Sequence, residues 1–423
     1  MAGNLTASNV DHLEALETWL RRLPAERPTA VVLGGQANGL SYLRSLGRRK
    51  VPTLMLAGSD PGSRYGRTLE MPDAVRFPER WLEVLHRIGA SLPTPGVLIP
   101  TSDPLVLLVA RHAAELEREF RFVVPSAEVV EGIVNKKAQY ERAQAADIPI
   151  PETHFPTSSD ELRELAAAYS YPRLLKPYRS HLSKQAMGAK AIIAHDADEL
   201  IAAYERHADS HDLMVQDLVP GDDATLFGYV AFWDPVGCEH SWFTRQKLRQ
   251  YPTGIGNGSL QVTVEAPEVA DLGRRLIQSY DYRGPVAVEF RWDERDGSYR
   301  LIEINARSGA SNQLGITAGV DVPWIVYRTA VARAGERVPA AHARVGVKWM
   351  YEELDFRAYR VLRQSEGWTL RRWLATLRGV RSWALWSPRD PKPLLLKLVA
   401  LVRSSVGRRR GLGDPSGPAS VDA

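Results

Sequence analysis

A hairpin pattern near residue 300 constrains the fold more than any other part of the sequence. Residues 284–305 read GPVAVEFRWDERDGSYRLIEIN, two β-rich runs joined by a polar segment that ends in Asp-Gly, which is typical of a β-hairpin. If residues 295–297 form the loop, with Gly297 in the left-handed conformation, the three-residue geometry places Glu289 opposite Glu303. A two-residue Asp-Gly turn would instead put Glu289 on the other face of the hairpin.

Polar side chains follow one face of the second strand. Glu303 and Asn305 are two residues apart, so they point the same way, while Ile302 and Ile304 point into a core. Two directly opposed carboxylates are destabilising unless a cation lies between them, and Mg²⁺ takes oxygen ligands together with substrate phosphates. We therefore interpret Glu289, Glu303 and Asn305 as a metal site for a nucleotide. A strand with one solvated face is the alternative.

The composition is that of a globular protein without disulfides. With 423 residues the chain is long enough for two or three domains. Cys238 is the only cysteine, which excludes a disulfide framework and a thiolate metal site and favours a reducing compartment. The sequence contains no signal-peptide core and no apolar run of membrane-spanning length. We therefore expect a cytoplasmic protein.

Strands alternate with helices in the first part of the chain. TAVVLGG, VPTLMLAG, VLIPTSD and FRFVVPS read as buried strands, which predicts a parallel sheet in one α/β domain, residues 29–125, after a helical extension, residues 1–28. GGQANG lacks the G-x-G-x-x-G spacing, so we interpret it as a tight turn rather than a dinucleotide site. A proline-rich boundary leads to a small α+β unit at about 150–220 and a larger mixed region at about 221–330. Residues 331–423 are rich in Trp and Arg, and we expect them to be mostly helical with a disordered end.

Several isolated residues suit a nucleotide. Lys176 ends a buried strand and suits a phosphate as a point charge, although a snorkelling lysine at a strand end is the alternative. Ser183 lies in a polar loop whose backbone N–H groups could also reach phosphates. The extended backbone at 217–219 offers donors and acceptors to a flat heterocycle, and Asp223 could accept a pair of ribose hydroxyls. An ordinary turn at Pro-Gly explains the local pattern equally well.

A row of cations follows in FTRQKLRQYPTGIGNG. Arg245, Lys247 and Arg249 share one face of an extended run. Like charges at this spacing need anions such as a triphosphate or a substrate carboxylate, and a charged, solvated edge strand is the alternative. The glycines that follow are typical of a mobile cover.

The order of these features resembles the ATP-grasp carboxylate–amine ligases, in particular the group that includes D-aspartate ligase. The resemblance covers roughly residues 29–330 and is carried by VVLGG with its helix, NKKAQYERAQAADIPIPET, LLKP, VQDLVPGDD and VEFRWDERDGSYRLIEINAR. It implies an α/β and α+β fold: an N-terminal parallel-sheet (pre-ATP-grasp) domain, a two-lobed ATP-grasp domain over 126–330, and a helical C-terminal extension.

The resemblance also implies roles for individual residues. Phosphates of ATP are held by Lys136 (or its neighbour Lys137) and Lys176, with Ser183 in the loop above them. The adenine is lined by Gln216, Asp217 and Val219, and the ribose is bound by Asp223. Magnesium, with manganese as the alternative metal, is bound by Glu289, Glu303 and Asn305. The reacting phosphoryl group is faced by Arg307, Arg249 and Lys247.

In such ligases a small-molecule carboxylate attacks the γ-phosphate of ATP, and an amine then displaces phosphate from the acylphosphate. This requires positioning, neutralisation of phosphate charge and exclusion of water. The alternatives are an ATP-grasp enzyme with another acceptor, of the carboxylase or phosphotransferase type, or a non-catalytic nucleotide- or nucleic-acid-binding protein. No recognisable nucleic-acid reader motif supports the last of these.

The C-terminal region is strongly basic. Residues 357–410 contain 14 Lys and Arg against 2 acidic residues, a balance that suits nucleic acid, an anionic membrane surface or an acidic partner. Within it, apolar residues recur at helical spacing between Leu394 and Val402. This helix either packs on the ligase core or contacts the inner membrane surface through residues 391–410.

Overall fold

The computed structural model describes residues 7–178, 191–207, 212–333 and 336–409. The strands are β1 (Ala30–Leu33), β2 (Thr53–Ala57), β3 (Arg67–Glu70), β4 (Gly96–Pro100), β5 (Phe120–Arg121), β6 (Thr153–His154), β7 (Arg173–Pro177), β8 (Ile192–Ala194), β9 (Leu213–Asp217), β10 (Leu226–Trp233), β11 (Glu239–Tyr251), β12 (Asn257–Val264), β13 (Gly284–Asp293), β14 (Ser298–Asn305), β15 (Lys348–Met350) and β16 (Val380–Trp383). The helices are α1 (Ala7–Leu20), α2 (Gln36–Arg48), α3 (Pro78–Ser91), α4 (Asp103–Arg111), α5 (Ala113–Leu116), α6 (Ala127–Val134), α7 (Lys136–Ala145), α8 (Ser159–Ala166), α9 (Ala197–His207), α10 (Pro267–Gln278), α11 (Asn312–Ala318), α12 (Val322–Val331), α13 (Glu352–Ser365), α14 (Leu370–Thr376) and α15 (Lys392–Arg409).

The first sheet is parallel, as the alternation of strands and helices predicts. Its strand order is β3-β2-β1-β4-β5. The sequence reading misses β3, because its residues RTLE carry no apolar run and none of them is buried. The turn after β1 is tight: Gly34 has φ +97°, and a Cβ there would lie 2.4 Å from the Thr101 hydroxyl.

Two further sheets follow the first. The small antiparallel sheet has the order β6-β9-β7-β8 and packs against α8 and α9 through Leu162, Leu200 and Val215. The large sheet has the order β14-β13-β10-β11-β12-β15-β16, and its antiparallel centre carries the polar residues discussed below. The small sheet lies within the predicted unit at about 150–220, whereas the large sheet extends beyond the predicted region at about 221–330 through β15 and β16.

The C-terminal region is less purely helical than predicted. It contains α13, α14 and α15, but β15 and β16 extend the large sheet, with Leu260 of β12 paired with Met350. Such short strands show too few residues for a period to be recognised. The predicted disordered end, residues 411–423, lies outside the described residues.

Buried ion pairs join the C-terminal region to the rest of the protein. Arg44 of α2 is 2% exposed, and its Nε lies 2.9 Å from Asp390 Oδ2. The same guanidinium donates to the carbonyls of Ala384 and Leu385. Burial lowers the pKa of Arg44 against the attraction of Asp390, and a buried charge of this kind requires its partner.

Helix α15 is attached mainly at its start. Leu394 packs against the core, and Lys397 lies 3.6 Å from Glu353 of α13. Apolar residues after Leu394 are each between 38% and 53% exposed: Leu395, Leu396, Leu398, Val399 and Leu401. Among the described residues, no helix is long and apolar enough to cross a membrane.

Candidate active site

The β13–β14 hairpin places Glu289 opposite Glu303, as predicted, but by a different route. Asp293 pairs with Ser298, so the loop has one residue more than the expected three, with Gly297 at φ +67°. A bulge at Ile302 restores the register, because an extra residue on one strand shifts the pairing by one. The expectation that Ile302 points into the core is therefore wrong. It is only half-buried, whereas Leu301 is fully buried beside Ile304.

A row of polar residues crosses the large sheet at this level. Gly228 of β10 pairs with Arg245 on one side and with Glu289 on the other. A Cβ on Gly228 would lie 3.0 Å from the Nε and the guanidinium carbon of Arg245. The glycine therefore leaves room for Arg245 to lie across β10 and reach Glu289. Sequence reasoning missed Gly228, although a glycine inside an apolar strand is a signal for close approach.

Glu289 is held by two cations from β11. Its Oε1 lies 2.7 Å from Arg245 and its Oε2 lies 2.8 Å from Lys247. Burial opposes its ionisation, but the charges of Lys247 and Arg245 outweigh burial and hold the pKa of this carboxyl well below its usual range. From the sequence, we expected a metal ion alone to neutralise the charges of the two opposed carboxylates. In the structure, protein cations supply part of this neutralisation.

Arg249 does not join Arg245 and Lys247. Register shifts lie on both sides of it in the β11–β12 pairing, and they break the alternation that the prediction assumed. Its guanidinium instead forms two hydrogen bonds with Asp355 of α13, at 2.8 and 2.9 Å. Arg249 therefore has a protein carboxylate as its partner, where a triphosphate or a substrate carboxylate was expected.

Asp355 is 0% exposed and also accepts hydrogen bonds from Ser259 and the indole of Trp373. We expect Asp355→Ala to destabilise the protein by about 3–5 kcal/mol, because it leaves the Arg249 charge buried without a partner. Denaturant unfolding measures the change. The matched control is Asp271→Ala, which breaks an exposed 3.2 Å pair with Arg275 and should cost at most about 1 kcal/mol. Equal losses in the two variants would contradict the structural role of Asp355.

The two predicted phosphate lysines lie near Glu303. The Nζ of Lys176 donates to Gln216 Oε1 at 2.9 Å, and burial, together with the charge of Lys136, lowers the pKa of Lys176 to about 7 against the attraction of Glu303. Burial also lowers the pKa of Lys136, against the attraction of Glu303, Asp103 and Glu289. A buried and a half-buried lysine next to acidic residues can receive an anion.

The choice between Lys136 and Lys137 has a structural counterpart. Lys136 is 8% exposed, and its backbone N–H donates to the carbonyl of Tyr178, which ties α7 to the end of β7. The Lys137 ammonium lies 5.7 Å from the ring centroid of Phe155. Lys136 is therefore the lysine that lies with Lys176.

The residues predicted to line an adenine lie together. Gln216 accepts from Lys176 and donates to Thr153, and the carboxylate of Asp217 accepts from Arg295. The carbonyl of Val219 accepts from Arg291.

Asp223, predicted to accept ribose hydroxyls, already accepts hydrogen bonds from the protein. Its carboxylate accepts from the backbone and side-chain N–H groups of Gln250 and, at 3.3 Å, from the backbone of Gly254. Ser183 and the rest of the loop at 179–190 lie outside the described residues.

Arg307 connects the end of β14 to the first sheet. Its NH2 donates to Asn305 Oδ1 at 3.1 Å, and its Nε lies 3.2 Å from Asp103 Oδ1 at the start of α4. The side-chain amide of Asn38 donates to the carbonyl of Ser308, next in the chain. Sequence reasoning missed Asp103 and Asn38. Their signal is weak: each follows the carboxyl end of a parallel strand, where functional residues of such sheets are found.

The oxygen atoms of Glu289, Glu303 and Asn305 suit a hard cation. Each oxygen of Glu289 is engaged by one protein cation, and a carboxylate offers about four lone-pair sites, so further acceptor capacity remains. Two carboxylates and an amide oxygen match the ligand preference of magnesium. Among the described residues, no group of three His, Cys, Asp or Glu side chains is arranged to hold a metal, so the third protein ligand would have to be the amide.

Comparisons with known proteins show what the chain is similar to. The family "ATP-grasp in the biosynthetic pathway with Ter operon" matches residues 240–353. The structure is similar to N5-carboxyaminoimidazole synthetase from Staphylococcus aureus (TM-score 0.59, 12% identity, 80% of this chain and 86% of that one). It is also similar to the L-amino acid ligase from Bacillus licheniformis (TM-score 0.56, 15% identity, 74% and 77%). The chain therefore shares the fold of these two enzymes, and part of it matches an ATP-grasp family.

The sequence is also similar to D-aspartate ligase from Enterococcus faecium. The two are 28% identical over 228 residues, which are 51% of this chain and 54% of the relative. The chain spans about half the length of the curated relatives it matches. The resemblance to the group that includes D-aspartate ligase, made from the motifs alone, is confirmed, as is the fold class.

Proposed function

We propose that the protein is an ADP-forming carboxylate–amine ligase that uses MgATP. The observation that carries the proposal is that Lys136 and Lys176 lie near the carboxylates of Glu289 and Glu303, which face each other across two paired strands. Asn305 lies on the same strand as Glu303. Buried cations on one side and oxygen ligands on the other suit a metal–triphosphate complex. The similarity to D-aspartate ligase and the fold shared with an L-amino acid ligase support the same reaction class.

The residues have separable roles in this reaction. Lys136 and Lys176 bind phosphate oxygens of the nucleotide, and Glu289, Glu303 and Asn305 hold the metal, which neutralises charge on the transferring phosphoryl group. A carboxylate oxygen of the first substrate forms a bond to the γ-phosphorus while the bond to ADP breaks. The amine then attacks the acyl carbon, phosphate leaves, and the amine loses a proton.

Cations near the carboxylates stabilise the charge that develops. Arg307 follows β14 and Lys247 lies on β11, and each is already paired with a protein oxygen. Both can turn a donor to the equatorial phosphate oxygens. Arg249, although predicted in the same role, is bound bidentately by Asp355. We assign it to holding the C-terminal region on the sheet.

The test is release of ADP and phosphate from ATP, screened against pairs of amino acids and small carboxylates. Hydroxylamine added in place of the amine should trap the acylphosphate as a hydroxamate. Turnover that needs bicarbonate instead of an organic carboxylate would identify a carboxylase-type enzyme. Binding of MgATP without turnover in any pair would favour a non-catalytic nucleotide-binding protein.

We also propose that α15 contacts an anionic membrane surface. The support is its apolar residues after Leu394, which are 38–53% exposed, in a region of strong positive charge. Exposed apolar side chains on a basic helix bind the lipid interface, where each basic residue near an anionic surface adds about 1 kcal/mol. The alternative is that the helix packs on the core, as Leu394 does.

Vesicle co-sedimentation tests this contact. The full chain should sediment with anionic vesicles at low salt and not with neutral ones. The comparison chain should end at Pro391, because this retains Asp390 and its pair with buried Arg44. Leu398→Asp in the full chain is a second control for the apolar contribution. If the full chain stays in the supernatant, or if the shortened chain sediments equally, the helix does not bind membranes.

A further inference from the structure

The glycine loop, residues 252–256 of sequence PTGIG, is held from two sides of the candidate site. Lys247 Nζ, which also binds Glu289, lies 3.4 Å from the carbonyl oxygen of Gly256. Asp223 Oδ1 accepts from the backbone N–H of Gly254 at 3.3 Å. Both distances are at the long end of the hydrogen-bond range. The loop is therefore attached by weak contacts that a bound ligand can strengthen or break.

Arg291 of β13 attaches the same loop to the segment predicted to line the adenine. Its NH1 donates to the carbonyl of Val219 at 3.0 Å and its NH2 donates to the carbonyl of Gly254 at 3.3 Å. Arg291 is only 6% exposed. Because a guanidinium is planar and rigid, its two donors keep a fixed separation. A shift of Val219 is therefore transmitted to Gly254 through one side chain.

The surroundings of Arg291 explain why a cation is tolerated there. Burial lowers its pKa, whereas the carboxylates of Asp223, Asp222 and Glu289 favour its charge. Asp223 also accepts a hydrogen bond from the backbone N–H of Gly254, and Arg291 donates to the carbonyl of the same residue. The two side chains therefore hold both backbone polar groups of Gly254. Through its contacts with Val219 and Gly254, Arg291 joins two segments that are not neighbours in the chain.

We propose that Arg291 is a positioning residue that couples the segment 217–219 to the glycine loop, so that nucleotide binding tightens the loop beside Lys247. This rests on the proposed function, since it requires a nucleotide at 217–219. A nucleotide base that hydrogen-bonds the backbone there fixes Val219 and thereby fixes the guanidinium of Arg291. The guanidinium then holds the carbonyl of Gly254, and the carbonyl of Gly256 stays next to the ammonium of Lys247. The loop would close over the reacting groups only after the nucleotide is bound, which protects an acylphosphate from water.

Hydrogen–deuterium exchange of residues 253–256 in the full chain tests the coupling. MgADP or a non-hydrolysable MgATP analogue should slow exchange in this loop by about fivefold or more, the lower end of ordinary coupling between sites. In Arg291→Gln the nucleotide should still bind, but the slowing should disappear. Arg291→Lys keeps the charge and loses the rigid fork, so it should behave like the Gln variant. Arg283→Gln is the matched control, since Arg283 contacts only Pro235 and Asp281 in the described hydrogen bonds and ion pairs.

The outcomes separate the coupling from the proposed function. Nucleotide-dependent slowing that persists in Arg291→Gln and Arg291→Lys overturns the coupling and leaves the ligase proposal intact. Failure of the unaltered chain to bind MgADP or the analogue overturns both. If the Gln variant melts at a much lower temperature than the unaltered chain, the Lys variant decides. Loss of slowing in the Lys variant, with a near-normal melting temperature and retained slowing in Arg283→Gln, supports the coupling.

Discussion

Glu303→Gln should abolish ATP turnover while leaving the fold nearly intact. The amide has almost the same size, so packing against the neighbouring strand is retained, but one negative metal ligand is lost. We expect kcat to fall about a hundredfold or more, the scale seen when one group that stabilises transition-state charge is removed. Thermal unfolding followed by circular dichroism should change little.

The structure adds a second reason for this loss. The negative charge of Glu303 raises the pKa of both Lys136 and Lys176, whereas burial lowers it. This charge therefore helps to keep the two lysines protonated. The Gln variant should therefore also bind nucleotide more weakly near neutral pH. Glu294→Gln is the matched control, because Glu294 is exposed in the loop of the same hairpin. Near-normal turnover of Glu303→Gln at saturating magnesium would contradict the metal-site assignment.

The hairpin shows which structural features a local sequence pattern predicts and which it does not. The existence of the hairpin follows from alternation and from the Asp-Gly signal. The pairing of Glu289 with Glu303 was predicted from a three-residue loop, whereas the structure has a longer loop and a bulge at Ile302. These two differences cancel, because an added loop residue and an added strand residue leave the same register. Leu301 is buried with Ile304 for that reason, and a strict period of two cannot show it.

The partners of the polar residues depend on strand order, which no local pattern contains. Arg245 reaches Glu289 because β10 lies between β11 and β13 and places Gly228 at the crossing point. Arg249 meets Asp355 because register shifts in β11 coincide with a helix more than one hundred residues further along the chain. The sequence predicted the residue types that the site needs. The contacts between them depend on tertiary packing.

Lys176→Ala should weaken nucleotide binding by about tenfold to more than a hundredfold. A charge-assisted hydrogen bond to a phosphate contributes roughly 1.5–3 kcal/mol, and each 1.4 kcal/mol is about a tenfold change in affinity. Titration calorimetry with MgADP or a non-hydrolysable MgATP analogue measures the effect. An unchanged dissociation constant would make Lys176 an ordinary lysine at a strand end.

The pH dependence of binding tests the same residue more sharply. Because the pKa of Lys176 is lowered from 10.5 to about 7, the nucleotide-free protein holds it mostly neutral above that pH. The folded chain then binds fewer protons at this group than the unfolded chain, so its contribution to stability rises with pH between these two values.

Bound phosphate restores the charge of Lys176, so nucleotide binding above pH 7 takes up a proton. The affinity should therefore fall as pH rises, by at most about tenfold per unit. In Lys176→Arg this contribution to the pH dependence should be lost from about pH 7 to about pH 9, since a guanidinium stays charged throughout. Any dependence that remains comes from Lys136, whose pKa burial also lowers. Calorimetry in two buffers of different ionisation enthalpy reports the proton uptake directly. Uptake that falls in both the Ala and the Arg variant supports Lys176 as a titrating phosphate ligand, whereas equal uptake in all three would place the titrating group elsewhere in the site.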